Sequence, residues 1–273
     1  MASFVIHTIA AECFLKKLED DYGVKLSKEE KDEFLMANLI PDSSRLGSIS
    51  KDASALERQQ HRMKIQDEKI ATHFRNIDDQ DLCIQVPDLD KFVEKYGDEL
   101  ADSKSYLGYL FHLYTDKTFF EDLFTKTFDT LDENNEPTIY NSKTCSMLVK
   151  KNNKIYTVSE FWDGKSSQSI YHDYTVMNRI LLEHFGLEFD GERLKKQAQS
   201  FKNPGIEEVD FENITKVLNK TESFIKESYA ESDINLNIFD KDQVIDFINE
   251  NAYGFIEKYK DVLSISGNKV LKK

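Results

Sequence analysis

The stretch LGYLFHLYTDKTFF, residues 107–120, decides the fold and also raises the question of function. Its apolar and aromatic composition is typical of a buried helix, and we expect that helix to run from about residue 103 to about residue 131. The stretch also contains His112 and Asp116, which lie one above the other on a helix because they are four residues apart. An uncompensated carboxylate in an apolar interior costs several kcal/mol. The pair therefore either faces water or shares a positive ion.

Composition limits the classes of partner. The chain has 273 residues, of which 40% are apolar and 32% charged, and its net charge is −14. A chain of this length can bury a substantial core. The excess of acidic residues disfavours duplex nucleic acid and anionic membranes as partners, because both carry negative charge. It does not disfavour a small phosphate-ester substrate that binds at a local positive site.

Two features of the sequence bear on where the protein works. The three cysteines, Cys13, Cys83 and Cys145, are scattered and form no C-x-x-C pair, which is typical of reduced thiols. The first residues contain no basic region followed by an uninterrupted apolar run. We therefore expect a cytoplasmic protein without a signal peptide or a membrane span.

Hydrophobic periodicity predicts a chain made mostly of helices, and the small numbers of glycine and proline, ten and four, agree with this. Residues 3–20 form an amphipathic helix that ends at Gly23. A second helix begins with a capping box from Ser27 to Glu30. Residues 43–70 are a long polar excursion, of the kind that often covers a functional site.

The second half of the chain contains a different pattern. β-Branched and apolar residues flank Asn152 and Asn153, which predicts a β-hairpin. Further helices are predicted over PDLDKFVEKYG, over SIYHDYTVMNRILLEHF up to Gly186, and in three segments after Phe189.

The pair of His112 and Asp116 is the first candidate metal site, because imidazole nitrogen and carboxylate oxygen are common ligands of zinc, iron and manganese. The spacing is that of the H-E-x-x-H zinc helix with a carboxylate in place of one histidine. His7 lies on the inward face of the first helix beside small alanines, which leave room for an ion. The alternatives are a buried hydrogen bond between His112 and Asp116 and an ordinary core histidine at position 7.

Further ligand-type residues lie elsewhere. Asp42 follows Pro41 after an apolar helix, and its alternative role is to cap the next turn. His73 lies in the segment THFRN, and its alternative is a surface position. Asp173 shares the apolar stripe of its helix, whereas His172 is rotated about 100° away. The alternative for Asp173 is a favourable interaction with the helix dipole.

The motifs IHTIAAE, FLMANLIPDSS, THFR, LGYLFHLYTD and, more loosely, HDYTVMN resemble those of the zinc-dependent phospholipase C / nuclease superfamily, specifically its cytoplasmic bacterial branch of phospholipase C-like hydrolases. The resemblance covers roughly the first 125 residues. It implies a helical bundle with two or three zinc ions and Asp116 as a candidate bridge between metals. The ligands that it implies are His7, Asp42, His73, His112 and Asp116.

This chain also departs from the secreted members of the superfamily. It lacks their mature N-terminal tryptophan, a clear H-x-x-x-E pair after Asp116 and a secretion signal. Two metal ions, with Asp173 completing the second site, fit this pattern better than three. A weaker resemblance links the doublet His172-Asp173 to the HD-type phosphohydrolases.

These observations predict a mostly α fold: a single-domain helical bundle around a metal site, residues 1–273, with one small β-hairpin. The metal-site core covers about 1–186, and the C-terminal packing helices cover about 187–273. No internal repeat or composition break divides the chain.

The predicted function is hydrolysis of a phosphate ester by a water that two metal ions activate. The cofactor is zinc, or else manganese or iron. Asp42 either takes a proton from the attacking water or acts as a ligand, and Arg75 and Lys117 are candidate phosphate contacts. The alternatives are an HD-like phosphohydrolase and a non-catalytic helical interaction protein. The substrate itself and the oligomeric state stay open.

Overall fold

The computed structural model describes residues 2–46, 64 and 67–263, and over these residues the protein is mostly α-helical, as the sequence predicts. The predicted polar excursion over residues 43–70 lies largely outside the described residues. The longer helices are α1 (Phe4–Tyr22), α2 (Lys28–Leu39), α3 (Leu89–Tyr96), α4 (Lys104–Thr118), α5 (Ile170–Phe185), α6 (Gly191–Ala198), α7 (Ile214–Ala230) and α8 (Lys241–Lys258).

Local sequence signals fix the ends of the first two helices. The Ser3 hydroxyl accepts a hydrogen bond from the Ile6 N–H and caps α1, and Gly23 ends α1 with a φ of 71°. Glycine adopts this left-handed conformation at little cost. The predicted capping box of Ser27 and Glu30 is present at the start of α2. After α2 the chain continues directly into a 3-10 helix, Ile40–Leu46.

The helix that carries the opening stretch ends earlier than predicted. α4 continues through a π-helix, Phe119–Phe124, and a single α-turn, Thr125–Thr127. The next four residues form strand β1, Phe128–Leu131, so the prediction of a helix to about residue 131 is wrong there. The physical reason is strand pairing: β1 pairs with a strand further along the chain, and both of its end residues are buried.

The predicted hairpin is confirmed. It consists of β2 (Ser146–Val149) and β3 (Lys154–Thr157), and Met147 pairs with Tyr156 across it. Asn153 in the turn has a φ of 55°, a conformation that asparagine tolerates better than most residues. β1 adds a third strand on the other side of β2, in the order β1-β2-β3 with all pairs antiparallel.

α1 runs between two hydrophobic clusters. Ala10 and Phe14 belong to one cluster, and Ile6 and Ile9 belong to the other. α1 contacts α2, α4, α5, α7 and α8. A central helix of this kind can bring a side chain to several other elements. The division into a core of about 1–186 and packing helices of about 187–273 stays a prediction.

α2 and α4 pack closely where α4 contains Gly108. A Cβ atom at this position would collide with the backbone carbonyl of Phe34 on α2. The glycine therefore sets the distance between the two helices one turn before His112. Within the described ranges, no helix combines the length and the apolar character that crossing a membrane requires.

Candidate metal centre

Five of the six predicted ligands come together in the interior. α1 supplies His7, the 3-10 helix after α2 supplies Asp42, a turn after the helical residues 67–72 supplies His73, and α4 supplies His112 and Asp116. All five are fully buried. We call these five residues the His/Asp cluster.

One part of the cluster joins α1 to α4. The ligand atoms of His7, His112 and Asp116 all lie within 4.8 Å of one another. His7 Nε2 is 3.3 Å from Asp116 Oδ1. The imidazoles of His7 and His112 are stacked, with ring centroids 3.8 Å apart and planes 13° from parallel. This arrangement directs two nitrogens and one oxygen into the same small space.

The other part joins α4 to the segments that follow α2 and precede α3. The ligand atoms of Asp42, His73 and His112 also lie within 4.8 Å of one another. His73 Nε2 lies 3.5 Å from Asp42 Oδ1 and 3.3 Å from His112 Nε2. The two groups of three therefore share His112.

Asp116 also connects the two groups. Its Oδ1 faces His7, and its Oδ2 lies 3.5 Å from His73 Nε2. The backbone N–H of Ala2 donates a hydrogen bond of 3.1 Å to Oδ1. One carboxylate thus presents a different oxygen to each side of the cluster.

Backbone contacts fix the orientation of His112. Its Nδ1 is 2.7 Å from the carbonyl oxygen of Asn38. Because a carbonyl only accepts, Nδ1 carries the proton, and Nε2 presents its lone pair to the cluster. Histidine ligands in metal sites are commonly held in this way by a second hydrogen bond. The Asn38 side chain also donates to the carbonyl of His7, at 2.9 Å, so one residue ties α2 to both histidines.

His73 is held by the residue before it. Its Nδ1 lies 2.8 Å from the Thr72 hydroxyl, which either donates or accepts, so this contact leaves the tautomer of His73 open. Tyr109 on α4 donates a hydrogen bond to the Thr72 carbonyl, at 2.6 Å. Phe74 follows with a φ of 51°, a strained conformation for a bulky residue. Its ring packs edge-on against Phe92 and Tyr109, which offsets this strain.

Burial controls the protonation of His73 and His112. It lowers the pKa of His73 to about 4 and the pKa of His112 well below its usual value of 6.5. Both imidazoles are therefore neutral at pH 7 and able to act as ligands. Burial alone would raise the pKa of Asp116, but interactions with His7 and His112 hold that pKa well below its usual range.

His7 and Asp116 contain buried polar atoms without a hydrogen bond. Within the part of the chain that the structure describes, neither ring nitrogen of His7 has a hydrogen-bond partner, and Asp116 Oδ2 has none either. An unsatisfied buried polar atom costs about 1–3 kcal/mol. Neutral imidazole lone pairs and a carboxylate that converge in a dry interior are the donor set that a divalent cation satisfies.

The two predicted phosphate contacts differ in position. Arg75 is mostly buried, and its Nη2 lies 4.0 Å from Asp116 Oδ2. Lys117 lies at the surface, where its Nζ is 3.1 Å from the Glu121 carboxylate one turn later. Arg75 therefore lies beside the cluster, whereas Lys117 forms an ordinary surface salt bridge.

The sixth predicted ligand, Asp173, does not join the cluster. It is buried, but its carboxylate accepts hydrogen bonds from the backbone N–H groups of Asn237, Ile238 and Phe239, at 2.9, 2.7 and 2.8 Å. Among the described residues it belongs to neither group of converging ligand atoms. These hydrogen bonds, which come from a distant part of the chain, explain why the carboxylate points inward.

His172 is also placed differently from the prediction. It is buried rather than turned away from the interior, with Nδ1 3.8 Å from Glu231 and Nε2 4.0 Å from Asp233. The reason is that the segment of residues 231–239 covers this side of α5. The His172-Asp173 doublet therefore contacts this segment, which is the structural explanation for the motif that resembled HD-type phosphohydrolases.

Three residues that support the candidate ligands were not predicted from the sequence. Asn38, Thr72 and Gly108 position His7, His73 and His112, as described above. A signal was present for the first two: Asn38 is a buried amide within the apolar run FLMANLIP, and Thr72 directly precedes a candidate ligand. No local signal indicated that Gly108 lies where two helices meet.

No protein-family model, no curated protein and no solved structure matches this chain. The resemblance to the zinc-dependent phospholipase C / nuclease superfamily therefore stays a prediction from short motifs.

Proposed function

We propose that the protein is a metal-dependent hydrolase of a small phosphate ester, either a phosphodiester or a phosphomonoester, and that the His/Asp cluster holds its metal ions. The observation that carries the proposal is the convergence of three imidazoles and two carboxylates, all fully buried, from four separate segments. Such a set of side chains is costly to bury unless something positive balances it.

We infer that the cluster would hold two metal ions, with Asp116 as a ligand available to both. His112 has one nitrogen to offer, because its Nδ1 donates to the Asn38 carbonyl. The two groups of three therefore compete for His112 Nε2 and cannot both use it fully. Asp116, with one oxygen toward each group, is the better link.

The donor set fits zinc first. Nitrogen and oxygen ligands from histidine and aspartate are typical of zinc, and manganese and iron accept the same set. When bound, divalent cations would lower the pKa of a nearby water toward about 7 and would neutralise negative charge on the phosphoryl group. We keep zinc as the leading candidate and a cytoplasmic location as part of the proposal.

The protein's own residues have distinct roles in this proposal. His7, His73 and His112 bind and orient the ions through their ring nitrogens. Arg75, 4.0 Å from Asp116 Oδ2, contributes a fixed positive charge for a phosphate oxygen. Asp42 acts as a ligand or accepts the proton of the attacking water. Asp42→Asn separates these roles: loss of metal indicates a ligand, whereas retained metal with lost turnover indicates the proton acceptor.

Metal analysis of the purified protein tests the proposal. We expect near-stoichiometric zinc, manganese or iron, together with turnover of bis(4-nitrophenyl) phosphate or 4-nitrophenyl phosphate. His112→Ala should remove both. His184→Ala is the matched control, because His184 is exposed on the last turn of α5. Metal-free protein that is inactive with every added divalent metal would contradict the proposal.

A non-catalytic helical protein is the second candidate, and one observation favours it. His73 Nε2 lies 3.3 Å from His112 Nε2, so a proton on His73 Nε2 would make a hydrogen bond between the two rings without any ion. Under this alternative, a chelator leaves the melting temperature unchanged. Under the metal proposal, a chelator lowers it, because bound metal stabilises the folded state.

A further inference from the structure

A cavity of about 860 Å³ lies beside the start of α1. Its walls come from α5, α7 and the turn over residues 162–167, and Ala2, Ser3 and Phe4 form one side. Its volume is within the range of small-molecule sites, about 300–1,000 Å³. None of the five cluster residues lines it. We call it the lysine cavity, after Lys69, Lys165 and Lys220 in its wall.

The charge of this cavity differs from that of the chain. Three lysines and two glutamates line it, in a protein whose net charge is −14. Both glutamates have contacts within the chain: Glu227 accepts a hydrogen bond from the Ser223 hydroxyl, and Glu231 accepts one from the Asp233 N–H.

Lys165 and Lys220 differ from the two glutamates in their contacts. Among the residues that the structure describes, no carboxylate forms an ion pair with Lys165 or Lys220. Lysines without an acidic partner on the wall of a concave site attract anions, because the low-dielectric walls focus their field. The cavity is therefore a local positive site on an acidic protein.

His172 adds a buried polar atom to the same wall. The residue is 8% exposed, and its Nε2 has no hydrogen-bond partner within the described ranges. Asp233, 4.0 Å away, is too distant for a hydrogen bond. A ligand oxygen or hydroxyl in the cavity would satisfy this nitrogen.

Aromatic rings line the exposed side of the cavity. Trp162 and Tyr171 are 39% and 48% exposed, and their ring centroids lie 6.0 Å apart. Phe224, on α7, also lines the wall and stacks on Phe4. Large exposed rings beside a polar cavity are suited to stacking on a flat ligand.

We propose that the lysine cavity binds a small aromatic phosphate, with its ring against Trp162 and Tyr171 and its anionic group at Lys165 and Lys220. The proposal does not rest on the proposed function, because no residue in this wall is a candidate metal ligand. Ligand binding in the lysine cavity is therefore compatible with a His/Asp cluster that holds no metal.

Trp162 is the only tryptophan of the chain, so its fluorescence reports on this cavity alone. We suggest a titration of the purified protein with phenylphosphonate, an aromatic phosphate analogue that cannot be hydrolysed, with calorimetry as a second readout. We expect a saturable change in Trp162 fluorescence. Phenol and inorganic phosphate should each bind at least about tenfold more weakly, because each lacks one of the two contacts.

The double variant Lys165→Gln/Lys220→Gln should weaken binding of phenylphosphonate by about tenfold or more, since each lost charge-assisted contact costs of the order of a tenfold change. Lys241→Gln/Lys260→Gln is the matched control, because these exposed lysines lie outside the cavity wall. The proposal is wrong if phenylphosphonate leaves Trp162 fluorescence unchanged at millimolar concentration, if inorganic phosphate binds equally well, or if both double variants behave alike.

Discussion

The His/Asp cluster and the pair His172-Asp173 look similar in sequence but differ in what surrounds them. In both, a carboxylate of a helix is fully buried next to a buried histidine. Asp173 has its negative charge distributed over three backbone N–H groups. Asp116 faces imidazoles instead, and its Oδ2 has no hydrogen bond from the described residues. The partners of a buried carboxylate, and not its burial, therefore distinguish a structural role from a candidate ligand.

The matched substitutions Asp116→Asn and Asp173→Asn should differ most in the rate of phosphodiester hydrolysis. Asp116→Asn should lower the rate of phosphodiester hydrolysis by more than about a hundredfold, because it removes the charge that links the two metal positions. Asp173→Asn should change the rate of the folded protein by less than about twofold. Steady-state kinetics on both variants measures this. Equal losses in the two variants would remove the distinction.

The same two substitutions should have the opposite order of effect on the free energy of unfolding. Asp173→Asn places an amide N–H₂ against backbone donors, so we expect the free energy of unfolding to fall by about 2–4 kcal/mol. The free energy of unfolding of Asp116→Asn, compared with wild type in the presence of a chelator, should fall by less than this, because Asp116 accepts one backbone hydrogen bond, from Ala2, whereas Asp173 accepts three. Urea denaturation followed by circular dichroism gives both values. A larger loss for Asp116→Asn in chelator would indicate that Asp116 is itself a structural carboxylate.

Helical spacing explains why part of the His/Asp cluster could be predicted from the sequence. Helical spacing alone placed His112 and Asp116 on one inward face, and His7 followed from the same logic on α1. Asp173 followed from that logic too, yet it lies with the backbone of Asn237 and its neighbours. No local pattern shows which distant backbone folds over a helix face, and so the sequence could not show that Asp173 lies apart from the other five residues.

Local sequence patterns also limited the prediction of the secondary structure. Helices with clear caps and periodicity were predicted closely, and the β2–β3 hairpin followed from its turn. β1 was predicted as helix, because the residues FDTL follow a long helical stretch and carry no local break. Its partner β2 lies far along the chain, and pairing with β2 decides its conformation.

The pH dependence of stability gives a third test of the cluster. With a chelator present, His73 binds a proton in the unfolded state near pH 6.5 but in the folded state only near pH 4. Because the unfolded state binds more protons between these values, the free energy of unfolding should fall as the pH is lowered from about 6.5 to 4. The fall for His73 alone is about 3 kcal/mol at most. Urea denaturation at several pH values measures it, and His73→Gln should flatten the curve. An unchanged slope in that variant would mean that His73 is not the titrating group.

Gly108→Ala tests whether helix packing sets the geometry of the cluster. A methyl group would meet the Phe34 carbonyl, so α4 must move away from α2, and we expect a loss of about 1–3 kcal/mol. The contact from Asn38 to His112 should weaken with it. Thermal unfolding and metal content measure the two effects, and Gly97→Ala is a control, since Gly97 has room for a methyl group. A fully stable variant with unchanged metal content would show that the close approach is not required.

The smallest expected effect is that of Lys117→Ala. Its salt bridge with Glu121 is at the surface and contributes at most about 1 kcal/mol, and its loss should not change the rate of hydrolysis. Arg75→Ala should lower that rate by at least about tenfold, because Arg75 lies beside Asp116. Steady-state kinetics of the two variants compares the effect of a surface charge on the rate with the effect of a buried charge. A rate loss in Lys117→Ala that matched the loss in Arg75→Ala would place the phosphate contact at the surface.

An anomalous diffraction map of crystals of the purified protein, recorded at the zinc absorption edge, tests the central claim most directly. We expect anomalous peaks within bonding distance of Asp116, at least one of them also within bonding distance of His112 Nε2, beside the two stacked imidazoles and His73. A map without a peak at the zinc, iron and manganese edges, with His73 Nε2 and His112 Nε2 in direct hydrogen-bond contact, would contradict it.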